Sequence, residues 1–408
     1  MKLTVERLGH LGDGIAAGPV FVAGALPGEV VEGEVAEGRM AAPRILTPSA
    51  DRVKPACPHY RACGGCSLMH ATDDFVARWK TEVVRTALEG QGLDAPIRGI
   101  VTSPPRSRRR AALSGRRLKK GVVVGFHGRS SDTVAAIPEC RLLRPEILAA
   151  IPAMEEVTVA GASRKGELSL TATLTEGGID LAVSGGKPMD PDLFAALAAI
   201  AGTAGFARLT WEGETVISAR PALQRFGRAR VAPPAGGFLQ ATGEGEAALL
   251  ALVTEAIGPA RRIADLFAGS GTFALPLLER AEVHAVEGEA PAIAALTAAW
   301  RQAEGLRRLT AETRDLFRRP LMPDELAAFD AVVIDPPRAG AEAEAAEIAK
   351  SAVPVIAAVS CNPVTFARDA RIMVAGGYAI DWVEVVDQFR WSPHVELVAR
   401  LSRPGGRM

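Results

Sequence analysis

The sequence predicts an α/β protein. Its C-terminal part, residues 236–408, reads as an open, mostly parallel sheet with helices on both faces, preceded by a small β-barrel and a central α+β segment. Three observations carry this reading. After residue 236, short apolar runs alternate with alanine-rich stretches of helical length, the pattern of a parallel sheet covered on both sides. A glycine-rich turn containing Gly269 and Gly271 follows the first of those runs. Before residue 50, brief apolar runs are separated by glycine and not by helices, the mark of short strands in a small barrel.

Taken in order, residues 1–51 hold strand-like runs at 3–8, 19–23, 30–35 and 42–46. Such a barrel serves equally as an RNA-binding platform or as a structural cap. Residues 52–235 open on a cysteine cluster, continue through a helix at 75–88, and include a cleanly alternating strand at 168–174. Residues 69–100 are expected to pack with the third part. The run Pro233-Pro234-Ala235-Gly236-Gly237 marks a boundary. Beyond it, strands are expected at 263–267, 283–286, 331–334, 355–360, 378–386 and 395–401, with helices at 291–302 and 341–350 among the connections. Ligands of such sheets bind beyond the carboxyl ends of the strands.

A chain of 408 residues is long enough for two or three domains. No run is long and apolar enough to span a bilayer, and no signal-peptide pattern opens the sequence, so a soluble, cytoplasmic protein is expected; a monomer is expected besides. The net charge of zero does not favour nucleic acid, but the distribution matters more than the sum. Residues 106–129 carry Arg108, Arg109, Arg110, Arg116, Arg117, Lys119 and Lys120, and no acid follows until Asp132. The stretch is either a solvated basic face or a surface for an RNA backbone.

The chemistry gathers at the expected strand ends. Asp265 and Phe267 lead into Gly269, Gly271 and Thr272, and Glu287 lies about twenty residues on, where an acid can accept from both hydroxyls of a ribose. The pattern is only G-x-G, with no Lys-Ser/Thr after it, which suits S-adenosylmethionine better than a dinucleotide or a triphosphate. Asp315 could hold the adenine amino group. Asp335-Pro336-Pro337-Arg338 follows an apolar run; the prolines stiffen the backbone, and a carboxylate beside a guanidinium can read the N–H and carbonyl of a base. Cys361, in Ser360-Cys361-Asn362-Pro363, ends another apolar run. A thiolate there can add to C6 of uracil and turn the poor nucleophile C5 into an enolate carbon; a base must then remove the C5 proton. Glu396 is in place for that if the last strand is antiparallel, with His394 as a rival.

The remaining cysteines are Cys57, Cys63, Cys66 and Cys140, spaced C-x5-C-x2-C with a distant fourth. Four thiolates fit an iron–sulfur cluster or zinc, and the spacing favours a [4Fe–4S] cluster.

Together these residues resemble the class I RNA uracil-5-methyltransferases, in particular the bacterial 23S rRNA members, over essentially the whole chain. The resemblance implies a Rossmann-like class I methyltransferase sheet, a TRAM-type N-terminal barrel and a central iron–sulfur domain. It implies Cys57, Cys63, Cys66 and Cys140 as [4Fe–4S] ligands, and Phe238 and Gln240 as substrate-side residues, with Gln240 also at the cofactor. It further implies Asp265, Phe267, Gly269, Gly271, Thr272, Glu287, Asp315 and Asp335 at S-adenosylmethionine, Asp335 and Arg338 at the base, Cys361 as nucleophile and Glu396 as general base. Thr272, Ala268 and Thr242 depart from the Asn, Cys and Asn frequent in the family. The tRNA-modifying relatives are expected to lack the barrel and the cluster, which leans the substrate toward 23S rRNA over tRNA. Two other readings compete: an amino-methyltransferase of nucleic acid, which needs no thiol, and a non-catalytic RNA-binding assembly factor.

Overall fold

The computed structural model describes residues 1–403. Its largest sheet has eight strands, in the order Leu309–Thr313, Glu282–Glu287, Arg262–Leu266, Ala331–Ile334, Val355–Ser360, Glu396–Ser402, Ala379–Asp387 and Ile97–Thr102. All run parallel except Glu396–Ser402, which lies antiparallel between two neighbours. Ala331–Ile334 and Val355–Ser360 are buried at every position, as parallel strands covered on both faces must be. One face packs Leu249, Val253 and Phe273 over Val333 and Ala357; the other packs Ile348, Phe366 and Met373 over Val332 and Ile356.

The edge strand Ile97–Thr102 was not anticipated as a strand. It pairs in parallel with Ala379–Asp387, and the helix Asp73–Glu89 before it buries Val84 and Leu88 in the same core as Val383 and Val385. That helix starts on Thr72, whose hydroxyl accepts from the Phe75 N–H at 3.3 Å, with Asp73 and Asp74 in its first turn. Its Lys80 is fully buried and reaches across to Asp387 at 2.5 Å; the ammonium also donates to the Phe389 carbonyl at 3.2 Å. Residues 73–102 thus form part of the large sheet's own layer.

The central part is a seven-stranded sheet, running from Val134–Ala136 at one edge to Glu214–Ser218 at the other, with helices Ile151–Gly161 and Pro191–Ala204. Trp211 is wedged between Gly161 and Gly186, where an added β-carbon would approach its ring to 1.9 Å on either side. Two arginines of the basic run are used inside the protein. Arg109 donates to the Gln240 carbonyl and pairs with Glu246, while Arg110 donates to the carbonyls of Gly236 and Gly237. These half-buried side chains fasten the central sheet to the start of the C-terminal part. Arg106, Lys119, Lys120 and Arg129 are exposed.

The N-terminal segment has six strands, in the order Arg39–Met40, Val20–Val22, Gly14–Ala16, Lys2–Leu8, Val30–Glu32 and Arg44–Thr47, around Val5, Val22, Val31 and Met40. No pairing joins the two edge strands among the described residues. Buried Glu29 accepts from the Leu26 N–H at 2.8 Å and pairs with Arg52, tying this unit to the chain that follows.

Removing one partner of a buried ion pair leaves an uncompensated charge. Lys80→Met is expected to lower unfolding stability by about 3–5 kcal/mol in a denaturant titration, with most of the loss recovered when Asp387→Asn is added. Additive losses in the double variant would contradict this coupling.

Candidate active site

Two groups of side chains meet at the carboxyl edge of the large sheet. The first surrounds the turn after Arg262–Leu266. Asp265 is completely buried, and neither carboxyl oxygen has a hydrogen-bond partner among the described residues. Burial, together with the charges of Asp335 and Glu287, holds its carboxyl well above the usual range. A buried oxygen with no partner is rare and asks for a donor from a ligand or a proton. The chain then turns sharply, with Phe267 at φ +61°, Gly269 at +55° and Gly271 at +98°. The two glycines answer different needs. A β-carbon at Gly271 would lie 2.8 Å from Leu275, so the backbone there is packed on its helix; one at Gly269 would meet nothing within 4 Å, so that face is open.

Glu287 closes this cradle. One carboxylate oxygen accepts from the Gly269 N–H and the other from the Glu289 N–H, each at 2.9 Å. The carboxylate is locked in place, with a lone pair free on each oxygen for ribose hydroxyls. Thr272 sits half-buried in the turn. Asp315 follows Leu309–Thr313; its carboxylate accepts from the Phe317 N–H at 3.0 Å and lies 3.5 Å from Arg318. Phe317, which sequence reading missed, is exposed and leans on Phe267 with ring centres 5.4 Å apart. The two rings, tilted 57° to each other, offer an apolar corner beside the turn. These donors and acceptors fit S-adenosylmethionine: acids for amino and hydroxyl groups, open glycine backbone, and no cationic cradle for phosphate.

The second group follows the next strands. Asp335 ends Ala331–Ile334, and burial pushes its carboxyl up to about 7. Arg338 is exposed, and its guanidinium lies 3.2 Å from His394 Nδ1. Asn362 fixes the loop: its side-chain amide donates to the Arg338 carbonyl at 2.9 Å, while its oxygen caps the helix Pro363–Ala375. Cys361, between that cap and Val355–Ser360, is held by a short, rigid turn. Burial and the nearby charges of Glu396 and Asp335 push its thiol up to about 11, against a smaller opposing pull from Arg338.

Glu396 opens the antiparallel strand, so its side chain joins the strand ends and not the opposite edge. It is buried; burial and Asp335 push its carboxyl up to about 8, while a hydrogen bond from Gln388 pulls the other way. Gln240 is also buried here, and its amide donates to Asp335 at 3.3 Å. Phe238, two residues earlier, is 68% exposed. His394 is turned toward Arg338 and the Phe389 ring. Gln388 and Lys80 escaped sequence reading. Gln388 lies in an irregular loop without a motif, and Lys80 looks like any helical lysine.

The other four cysteines line one cavity of about 530 Å³, with Arg108, Tyr60 and Phe126. Burial and the neighbouring cysteines push Cys66 up to about 12, and burial also raises Cys63 and Cys140. Thiols so placed ionise only with a positive partner. No group of three or more His, Cys, Asp or Glu side chains among the described residues is close enough to hold a single metal ion. The cavity wall also includes Ser392, Pro393 and His394, and the Leu68 N–H donates to the Trp391 carbonyl at 2.8 Å. The cysteine loop therefore abuts the loop that leads into Glu396.

Comparison with known proteins places this geometry. A family model for tRNA (uracil-5-)-methyltransferases matches residues 233–403. The 23S rRNA (uracil(1939)-C(5))-methyltransferase of Halomonas elongata is 32% identical over 437 residues, covering 99% of this chain and 89% of that one. The chain belongs to the RNA uracil-5-methyltransferase family. As a member it is an S-adenosylmethionine-dependent enzyme. An RNA methyltransferase of Brucella suis is 46% identical over 405 residues, 98% of each chain. The crystal structure of the Pyrococcus abyssi tRNA (uracil-54, C5)-methyltransferase shares the fold, with a TM-score of 0.76 at 21% identity, over 98% of this chain and 99% of that one. This last match corrects an expectation. A tRNA-directed member has a fold that extends over nearly the whole chain, so the extra N-terminal parts do not by themselves mark an rRNA enzyme. No helix among the described residues is long and apolar enough to cross a membrane.

A thiol held near 11 is almost wholly protonated at neutral pH. Alkylation of Cys361 by iodoacetamide, followed by peptide mass spectrometry, should therefore quicken roughly tenfold per pH unit from about pH 7 to about pH 9. A fast, pH-independent rate over that range would contradict the assigned environment.

Proposed function

We propose that the protein forms 5-methyluridine in RNA, with 23S rRNA ahead of tRNA as the substrate. The observation that carries this is the meeting of Cys361, Asp335 and Glu396 at one sheet edge, close enough for each acid to raise the thiol's pKa. An amino-methyltransferase has no use for that thiol, and a binding module has no use for any of the three. The identity to a relative named for 23S rRNA favours rRNA.

The chain's residues divide the work. Asp265, Phe267, Gly269, Gly271, Thr272, Glu287 and Asp315, with Gln240 and Asp335 at its inner end, hold S-adenosylmethionine, which when bound supplies an electrophilic methyl carbon. A uridine flipped from structured RNA enters beside exposed Phe238. Asp335 and Arg338 read its N–H and carbonyl, and Gln240 orients Asp335. Cys361 gives its proton to solvent water, its thiolate Sγ adds to C6, and the C5–C6 electron pair moves toward C5. Once C5 carries the methyl group, Glu396 takes the C5 proton. The electron pair left on C5 re-forms the C5–C6 double bond and the C6–Sγ bond breaks, releasing the thiolate. Cys57, Cys63, Cys66 and Cys140 would hold a [4Fe–4S] cluster. All four line one cavity, which supports a shared group held by four thiolates. Its role is structural: it would brace the loop that carries His394. The N-terminal strands, residues 1–51, and the cluster part, residues 52–235, serve as RNA-contacting units beside the catalytic part, residues 236–408.

The test is transfer of labelled methyl to unmodified 23S rRNA and tRNA in parallel, with nucleoside analysis. 5-Methyluridine in rRNA is expected. Formation in tRNA alone would retain the chemistry and overturn the substrate. Cys361→Ala is expected to abolish turnover, a loss of at least about 10³-fold as for other nucleophiles. Full activity of that variant would favour amino-methylation.

A further inference from the structure

Gln388 has no part in the roles assigned so far, yet it is almost completely buried at the centre of the site. It lies just beyond Ala379–Asp387, where the Lys80–Asp387 pair fixes the backbone. Its Nε2 donates to Gln240 Oε1 at 2.5 Å and also to Glu396 Oε2. Its Oε1 accepts from the Thr242 backbone N–H at 3.4 Å. A primary amide has two N–H groups, and both are used.

The orientation of this amide is determined. A backbone N–H can only donate, so the atom facing Thr242 is the oxygen. Flipping the side chain would set an N–H₂ against that N–H and a carbonyl oxygen against the carboxylate of Glu396. Thr242 is itself fixed: its hydroxyl accepts from the Gly245 N–H at 2.9 Å and meets the Ser103 hydroxyl at 2.7 Å. Room for Gln388 comes from Gly245, where a β-carbon would come within 2.7 Å of the Gln388 Cβ. With its oxygen taken by Gln388, Gln240 must turn its own N–H₂ toward Asp335, as observed. Hydrogen bonds therefore run outward from Gln388, to Glu396 on one side and through Gln240 to Asp335 on the other.

We propose that Gln388 is a positioning residue for the proton-removal step: by occupying Oε2 of Glu396 it leaves Oε1 as the atom that takes the C5 proton, and through Gln240 it locks that base in register with the carboxylate that reads the uracil. The inference rests on the general-base assignment of Glu396 made above. The charged or titratable groups facing Glu396 are Asp335, Asp387 at the end of its neighbour strand, Lys80 from the helix Asp73–Glu89, and Cys361. The Gln388 hydrogen bond favours the ionised carboxylate. A base works when ionised, so activity rises with pH through its pKa, and losing that bond moves the rise to higher pH.

The test uses Gln388→Met, which keeps the volume without the donors, and Gln388→Asn, which keeps an amide too short to bridge both partners. S-Adenosylmethionine binding by calorimetry checks that each is folded. On whichever of 23S rRNA or tRNA the wild type methylates, Gln388→Met should lose kcat roughly ten- to a hundredfold with little change in either KM. Its acidic limb should move to higher pH, and a covalent RNA adduct already carrying the labelled methyl should accumulate. Gln388→Asn should fall between it and the wild type. Wild-type kcat and pH profile in Gln388→Met would overturn the proposal. So would a loss with an unmoved limb and no adduct, which is what a merely structural residue gives. Glu396→Gln serves as the reference: if it traps adduct while Gln388→Met behaves as wild type, only the role of Gln388 falls. If Glu396→Gln turns over normally, the general-base reading falls and this proposal with it.

Discussion

The site depends on one antiparallel strand. Glu396–Ser402 lies between Val355–Ser360 and Ala379–Asp387 and runs against both. In a wholly parallel sheet the beginning of a strand faces away from the ligand edge. Reversing this one strand brings its first residue, Glu396, beside Cys361 and Asp335, which end their own strands. An acid, a thiol and a second acid then meet at one edge, Glu396 buried and the other two half-buried. Burial raises all three, Asp335 to about 7, and the neighbouring acids add to the rise of Cys361, to about 11, and of Glu396, to about 8. A site poised in this way has protons to manage, and the amides of Gln240 and Gln388 supply directed donors where more charge would be costly.

The N-terminal segments support that edge from behind. Helix Asp73–Glu89 buries Lys80 against Asp387, and the strand Ile97–Thr102 extends the sheet beyond its last C-terminal member. Arg109 and Arg110 hold the segment that delivers Phe238 and Gln240. The cysteine loop hydrogen-bonds the turn at Trp391. Parts distant in sequence from Glu396 therefore set where it stands, which gives a physical reason for a chain of this length around a compact reaction centre.

Much of this was legible in the sequence. The strands around Asp265, Asp335 and Cys361 announce themselves by apolar runs that stop at polar residues, because buried parallel strands tolerate polarity only at their ends. Glycines 269 and 271 mark a turn of positive φ that other residues adopt at a cost. What escaped notice depends on long-range pairing. The strand Ile97–Thr102 mixes polar and apolar residues as an edge strand may, without a clean period. Lys80 is one lysine on an amphipathic helix until Asp387 is brought to it. The arginine run looked like a free basic surface because its partners are mostly backbone carbonyls far along the chain, which no charge count reveals. Gln388 carries no pattern at all; only its three partners give it meaning.

The most direct test of the central claim is capture of the thiol adduct. RNA carrying 5-fluorouridine presents Glu396 with a fluorine in place of the proton it must remove, so the reaction should stop after methyl transfer. Incubated with S-adenosylmethionine, the protein should form a denaturation-resistant complex whose cross-linked peptide contains Cys361. Absence of a complex on RNA that the protein methylates in its unfluorinated form, or a cross-link mapped to another residue, would contradict the account.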